Sequence, residues 1–311
     1  MMTHARDAPA VWPALPFAAW QDTAETLQLW LQIVGKIRLV QTPWINHSWH
    51  VTLHVSARGL ATPLMAHGAV SLQIEFDFVA QRLQIAVSDG RRADFALEPQ
   101  TTAVFYRKLM DELTALDLPV TIDTLPNELP EPIPFQSDEV HRSYDPEYVE
   151  RYWHVLVQAH RVFESFRARF CGKCSPVHYF WGSADLAVTR FSGRRAPPHP
   201  GGVPHLPDRV TREAYSHEVS SCGFWAGARQ YPHAVFYSYA YPEPAQYSKA
   251  AVLPAAARYD SGLREFVLPY ESLRLAPSPD AALLDFLQST YEAAATGGDW
   301  DHALEFGGAP R

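Results

Sequence analysis

Apolar residues along the chain follow two periods, one of helices and one of strands. Leu27, Trp30, Leu31 and Val34 recur at helical spacing and predict a first helix. Asp22 and Glu25 stand where a capping box would open it, and Gly35 stands where it would stop. Trp49, Val51, Leu53 and Val55 then alternate with His50, Thr52, His54 and Ser56, which predicts a half-buried strand. Leu72, Ile74, Phe76 and Phe78 repeat the pattern, and 83–87 and 94–97 predict further strands around a Ser88-Asp89-Gly90 turn. A helix is expected over 102–116, with Phe105, Leu109 and Leu113 on one side, and a short strand over 120–122.

Pro126, Pro130, Pro132 and Pro134 interrupt all periodicity, and residues 125–144 read as a stiff linker. Asp145-Pro146 then opens a second long helix, with a capping carboxylate and proline at its first position. Its apolar stripe runs from Tyr152 to Phe170, and Gly172 ends it. The last helix is expected to start near Asp280. The second part of the chain echoes the first. Gly35-Lys36 matches Gly172-Lys173, residues 46–49 match 178–181, 51–58 match 186–194, and 95–99 match 273–277. The expected fold class is therefore α+β: two related helix–antiparallel-sheet–helix halves from a tandem duplication. The expected divisions are 1–124, the linker 125–144, and 145–311, with a ligand cleft where the two sheets meet.

Composition narrows the function. A hydrophobic share of 47% is that of a chain with a core. A net charge of −8 disfavours nucleic acid as a partner. No apolar run is long enough for a membrane span, and residues 1–12 lack the apolar stretch of a leader. Three cysteines are too few for a disulfide framework, so a cytoplasmic location is expected. The chain has no Gly-x-Ser-x-Gly elbow, phosphate-binding loop or dinucleotide fingerprint, so no nucleotide cofactor is indicated. Oligomeric state leaves no trace in the sequence.

The candidate chemistry is concentrated after residue 170. Cys171 and Cys174 have redox or half-zinc spacing, with Cys222 and His217 as the remaining zinc ligands. They follow a helix rather than open one, so bound zinc is not expected. His47, His50 and His54 are too spread along a strand to share one ion, although one of them could join a site built by other segments. Tyr215-Ser-His217-Glu218 offers acid–base groups. Asp185, Arg190 and Arg194 flank one strand, and Arg190 could pair with Asp185 or hold an anionic ligand. The loop after them, 197–202, has the character of a lid. Tyr237 and Tyr239 place phenols on one strand face. With His178, Tyr179 and Trp181 these residues suggest one pocket for a small molecule, an anionic one where the arginines hold it. His217, Glu218, His178 and Asp185 would be catalytic. Arg190, Arg194, Trp181, Tyr179, Tyr215, Tyr237 and Tyr239 would bind. The alternative is a non-catalytic module that binds a ligand or a partner chain.

Several long segments also resemble a bacterial family of unknown function, numbered 5996 among such domains. They are Trp12-Pro-Ala-Leu-Pro16, residues 32–38, Ser175-Pro-Val-His178, Phe180-Trp-Gly182, and residues 185–193, 213–220 and 237–244. The resemblance covers nearly the whole chain and implies bacterial origin without an activity. The family pattern around Gly172-Lys173 does not require the cysteine pair, which argues against a thiol mechanism.

Overall fold

The protein is described by a computed structural model covering residues 11–305. The segment read above for a leader lies almost wholly outside these residues. Helix α1 (Gln21–Gln41) is apolar around most of its circumference, and Leu29, Leu31, Ile33 and Val34 are all buried. Such a helix belongs inside a fold. The expected capping box does not form: α1 begins before Asp22, Trp20 occupies the cap position, and Glu25 instead accepts from Arg229 (2.9 and 2.6 Å). Nor does Gly35 stop the helix. It lies against Trp181, where a Cβ would fall inside the indole ring, so the glycine permits close packing.

Six strands form the first sheet: β1 (His54–Val55), β2 (Gly59–Ala61), β3 (Met65–His67), β4 (Val70–Asp77), β5 (Arg82–Val87) and β6 (Arg92–Ala96). The antiparallel order is β1-β2-β4-β5-β6, with β3 also on β4. The inner face carries Leu72, Ile74 and Phe76. Helix α2 (Thr102–Ala115), capped by the Thr101 hydroxyl, places Phe105 in stacks with Trp30 (4.6 Å) and Phe76 (6.1 Å). The strand expected over 49–56 shrinks to β1, because His47 and Ser48 have positive φ (58° and 57°) and fold the preceding residues into a short 3-10 turn. Residues 120–122 pair with no strand.

Helix α3 (Pro146–Arg167) opens as expected, with the Asp145 carboxylate accepting from the Glu147 and Tyr148 amides. The second sheet comprises β7 (His178–Phe180), β8 (Asp185–Arg195), β9 (His217–Trp225), β10 (Val235–Tyr241), β11 (Arg258–Asp260) and β12 (Glu265–Pro269), in the antiparallel order β11-β12-β10-β9-β8-β7. Helix α4 (Asp208–Ala214) lies between β8 and β9, and α5 (Tyr270–Arg274) and α6 (Pro279–Gly297) follow β12. The sheets continue one another where Leu53 and Tyr179 exchange two backbone hydrogen bonds (2.9 and 2.8 Å). One contiguous buried cluster runs through both.

The fold is thus α+β with an antiparallel sheet in each half. Each half runs from a long helix to a first strand at the shared edge, and then through antiparallel strands to a helix. The residue-level echo is looser. Residues 46–48 form a 3-10 turn whereas 178–180 form β7, and 92–96 form β6 whereas Leu273 lies in α5. The proline-rich stretch 125–144 is not a free spacer, because Asn127 and Glu128 pack into the site described next.

Candidate functional site

Strand alternation in the second sheet separates two faces. Leu186, Val188, Phe224 and Phe236 point into the core shared with α3 and α6. Asp185, Ala187, Thr189 and Phe191 on β8, Val219 and Ser221 on β9, and Tyr237 and Tyr239 on β10 line a cavity of about 430 Å³. That volume is suited to a small molecule. The cavity has three further walls. Lys36, Leu39 and Val40 of α1, with Trp44, His47 and His50, form one side. Residues 203–214, including α4, cover the top. Asn127 and Glu128 close the remaining edge.

Glu128 reaches the cavity through a ladder on α1. Gln28, Gln32 and Lys36 are four residues apart and therefore share a helix face. Gln28 donates to the Gly182 carbonyl (2.7 Å). Gln32 both donates to the Asn127 carbonyl (3.0 Å) and accepts from its amide (2.8 Å), and the Lys36 ammonium donates to the Leu125 carbonyl (2.6 Å). The Glu128 amide in turn donates to the Pro204 carbonyl of the covering loop (2.9 Å). Gly182 provides space for the Glu128 carboxyl, which would overlap any Cβ there. Gln32→Ala removes both bonds to Asn127 and should cost about 1–3 kcal/mol. Amide hydrogen exchange at Asn127 should accelerate more than exchange in β4, and equal acceleration at both would count against this clamp.

Three carboxyl groups share the polar part of this face. Asp185 accepts from the Ser183 and Tyr237 hydroxyls, yet burial still raises its pKa. Burial, reinforced by the nearby Asp185 charge, pushes Glu128 up to about 7, and its carboxyl has no protein hydrogen-bond partner among the described residues. Glu265 lies one position beyond the Ser238–Phe266 pair, and so stands across from Tyr239. Burial, then Asp185 and Asp260, push it up to about 8. Between pH 4.5 and 8 the fold holds a proton on Glu265 that the unfolded chain has released, so this group lowers stability as pH rises through that window. Urea melts at pH 5 and pH 8.5 should show Glu265→Gln losing less stability than the parent over the interval. The same loss in both proteins would refute this origin.

Six of the residues singled out from sequence line this cavity: His178, Trp181, Asp185, Tyr215, Tyr237 and Tyr239. Both ring nitrogens of His178 lack partners, and burial drives its pKa down to about 3, so the ring is neutral. Tyr215 and Tyr239 share a hydroxyl–hydroxyl bond (2.8 Å), and His199 of the covering loop stacks on Tyr215 (4.8 Å).

The other five lie elsewhere. Tyr179 faces α3, where it accepts from the Tyr152 hydroxyl (3.0 Å). Arg190 is five residues from Asp185 and so on the opposite face of β8, and no Asp185–Arg190 ion pair forms. Its guanidinium lies 3.5 Å from the Phe166 ring centroid and 4.3 Å from that of Tyr291, and donates to the Phe166 carbonyl (2.5 Å). Arg194 binds Glu218 (2.7 and 2.9 Å) and the Gly298 and Asp299 carbonyls at the end of α6, away from the cavity. His217 lies outside the cavity, its ring 5.9 Å from that of His47, which lines it.

The thiols are also dispersed. Cys171 is exposed, burial pushes Cys174 up to about 11, and Cys222 is buried five residues from His217. No group of three or more potential metal ligands occurs among the described residues.

The sequence of a family of unknown function, DUF5996, matches residues 12–305. The chain belongs to that family. No curated protein and no solved structure matches it. In this DUF5996 member the segments 175–178, 180–182, 185–193, 213–220 and 237–244 all supply cavity residues. Glu128, Asn127 and Lys36 escaped sequence reading. The first two sit in a stretch without periodicity. Lys36 gave one usable signal: with Gln28 and Gln32 it repeats every four residues as a polar line along a largely apolar helix.

Proposed function

We propose that this cavity is the active site of an enzyme acting on a small molecule, with Glu128 as general base. The supporting observation is the Glu128 carboxyl: it lies at the cavity wall, against Gly182 and near Asp185, without a protein partner. A base poised near neutrality is well matched to proton abstraction at physiological pH. Asp185, held by Ser183 and Tyr237, contributes a nearby charge that keeps Glu128 basic. Apolar and aromatic walls from Trp44, Phe180 and Trp181 would hold the body of the substrate. Tyr215 and Tyr239 would orient its polar groups, and the covering segment 203–214 would exclude water.

His217, His178 and Glu218 carry no catalytic role in this reading. The binding residues are Trp181, Tyr215, Tyr237 and Tyr239. A cytoplasmic setting, with no nucleic-acid or membrane partner, belongs to the same proposal. None of the described helices is long and apolar enough to cross a membrane. The test is untargeted metabolite profiling: a compound consumed by the parent protein and spared by Glu128→Gln. Equal retention of one compound by both proteins, without turnover, would make the protein a binder instead.

A further inference from the structure

Beyond the cavity wall at His47, the nitrogen donors of Lys173, His217 and Arg195 gather around a single acid among the described residues, Glu213. His47 projects there because its backbone takes a positive φ of 58°. Its Nδ1 is 2.8 Å from the Ala214 carbonyl and must donate to it. That fixes Nε2 as an acceptor, and the Lys173 ammonium donates to it at 2.6 Å. An ammonium has three donors. Lys173 uses one, and makes no ion pair among the described residues. It sits over the Phe191 ring (4.9 Å) and near the Trp49 ring (5.5 Å), in a setting that strips some of its water.

His217 turns Nδ1 toward the Ser216 hydroxyl (3.1 Å) and leaves Nε2 without a protein partner. Arg195, paired with His217 across β8 and β9, forms no side-chain hydrogen bond or ion pair among the described residues. Glu213 is the acid that faces this group, and one of its oxygens is occupied by the His47 amide (2.8 Å). In a chain with 34 acidic and 26 basic residues, this local excess of donors runs against the overall charge.

We infer that Lys173 and His217, with His47 orienting the lysine and Arg195 beside them, form an oxyanion-binding subsite bordering the cavity, for a phosphate or carboxylate group of the substrate. His47 and Phe191 belong both to this cluster and to the cavity wall, so the subsite borders the cavity. An anionic head group held there would direct the rest of the molecule along the wall formed by His47 and Phe191, with a protonated or hydrogen-bond-donating centre turned to Glu128. The substrate class is thus a small bipolar molecule. This identification rests on the proposed active site, whereas binding of the anion itself does not. An ammonium presented on an aromatic shelf at low competing hydration, as Lys173 is, suits a charge-assisted hydrogen bond to an oxyanion.

The test is calorimetric titration of the full chain with inorganic phosphate, and separately with acetate, at low ionic strength. One phosphate or one acetate should bind per chain. Lys173→Met and His217→Gln should each weaken it at least about tenfold. Arg195→Gln, a change at an exposed position that leaves the core intact, should weaken it less. Glu128→Gln should leave it unchanged, so loss of turnover in that variant with retained anion binding would separate the two claims. Phosphate-only binding identifies a phosphorylated substrate, and acetate-only binding identifies a carboxylate. Anion binding that survives all three of these cluster substitutions, or no binding of either ion to the parent protein, would overturn the inference.

Discussion

Glu128→Gln is expected to lower turnover of the cavity's substrate by about 10²–10⁴-fold, the usual range for a general acid–base group. Glutamine keeps the size of the side chain and its fit against Gly182, so affinity should change far less than rate. The pH profile provides a second readout. A base must be ionised, and the Glu128 carboxyl releases its proton near 7 because it is buried close to Asp185. Turnover by the parent protein should therefore rise with pH through about 7, and this rise should disappear in Glu128→Gln. Asp185→Asn removes the neighbouring charge and should move the rise to lower pH. A rate unaffected by Glu128→Gln would remove the carboxyl from the mechanism.

Arg190→Ala is expected to destabilise the fold by about 3–4 kcal/mol without changing the intrinsic activity of the protein that remains folded. The guanidinium fills the space between Phe166, Phe170 and Tyr291, and binds the carbonyl of Phe166 in the last turn of α3. Aromatic faces and a helix C-terminus both favour a cation. The charge is nevertheless desolvated, with no carboxylate hydrogen-bonded to it, and its Nε and one Nη lack partners. Arg190→Met, which refills the volume without the charge, should therefore recover most of the loss. Chemical denaturation of the three proteins measures this order. Loss of ligand binding in Arg190→Ala at unchanged stability would instead place the residue in the site.

Legibility in the sequence differed sharply between elements. Asp145-Pro146 announced α3 because capping is local, and β4 and α2 emerged from their periods because each has one buried face. The capping box at Asp22 and the stop at Gly35 failed for tertiary reasons. Arg229 draws Glu25 away, and Trp181 needs the missing Cβ of Gly35. The segment around His50 alternates as a strand would, yet left-handed backbone at His47 and Ser48 bends it into a cavity wall. In the site, Asp185, Tyr237 and Tyr239 were legible as polar tips on strands. Arg190, expected beside Asp185, lies on the opposite face, which a count of five residues along β8 reveals. Glu128 could not be found this way, because its place depends on Gln32 and on Gly182, distant segments that only the fold brings together.

The most direct measurement of the central claim is mass-spectrometric profiling of a metabolite extract incubated with the parent protein, Glu128→Gln and Arg190→Met. The account predicts one small bipolar compound that the parent and Arg190→Met convert, and that Glu128→Gln retains unconverted. Conversion by Glu128→Gln at the parental rate, or no compound bound or converted by the parent protein, would contradict it.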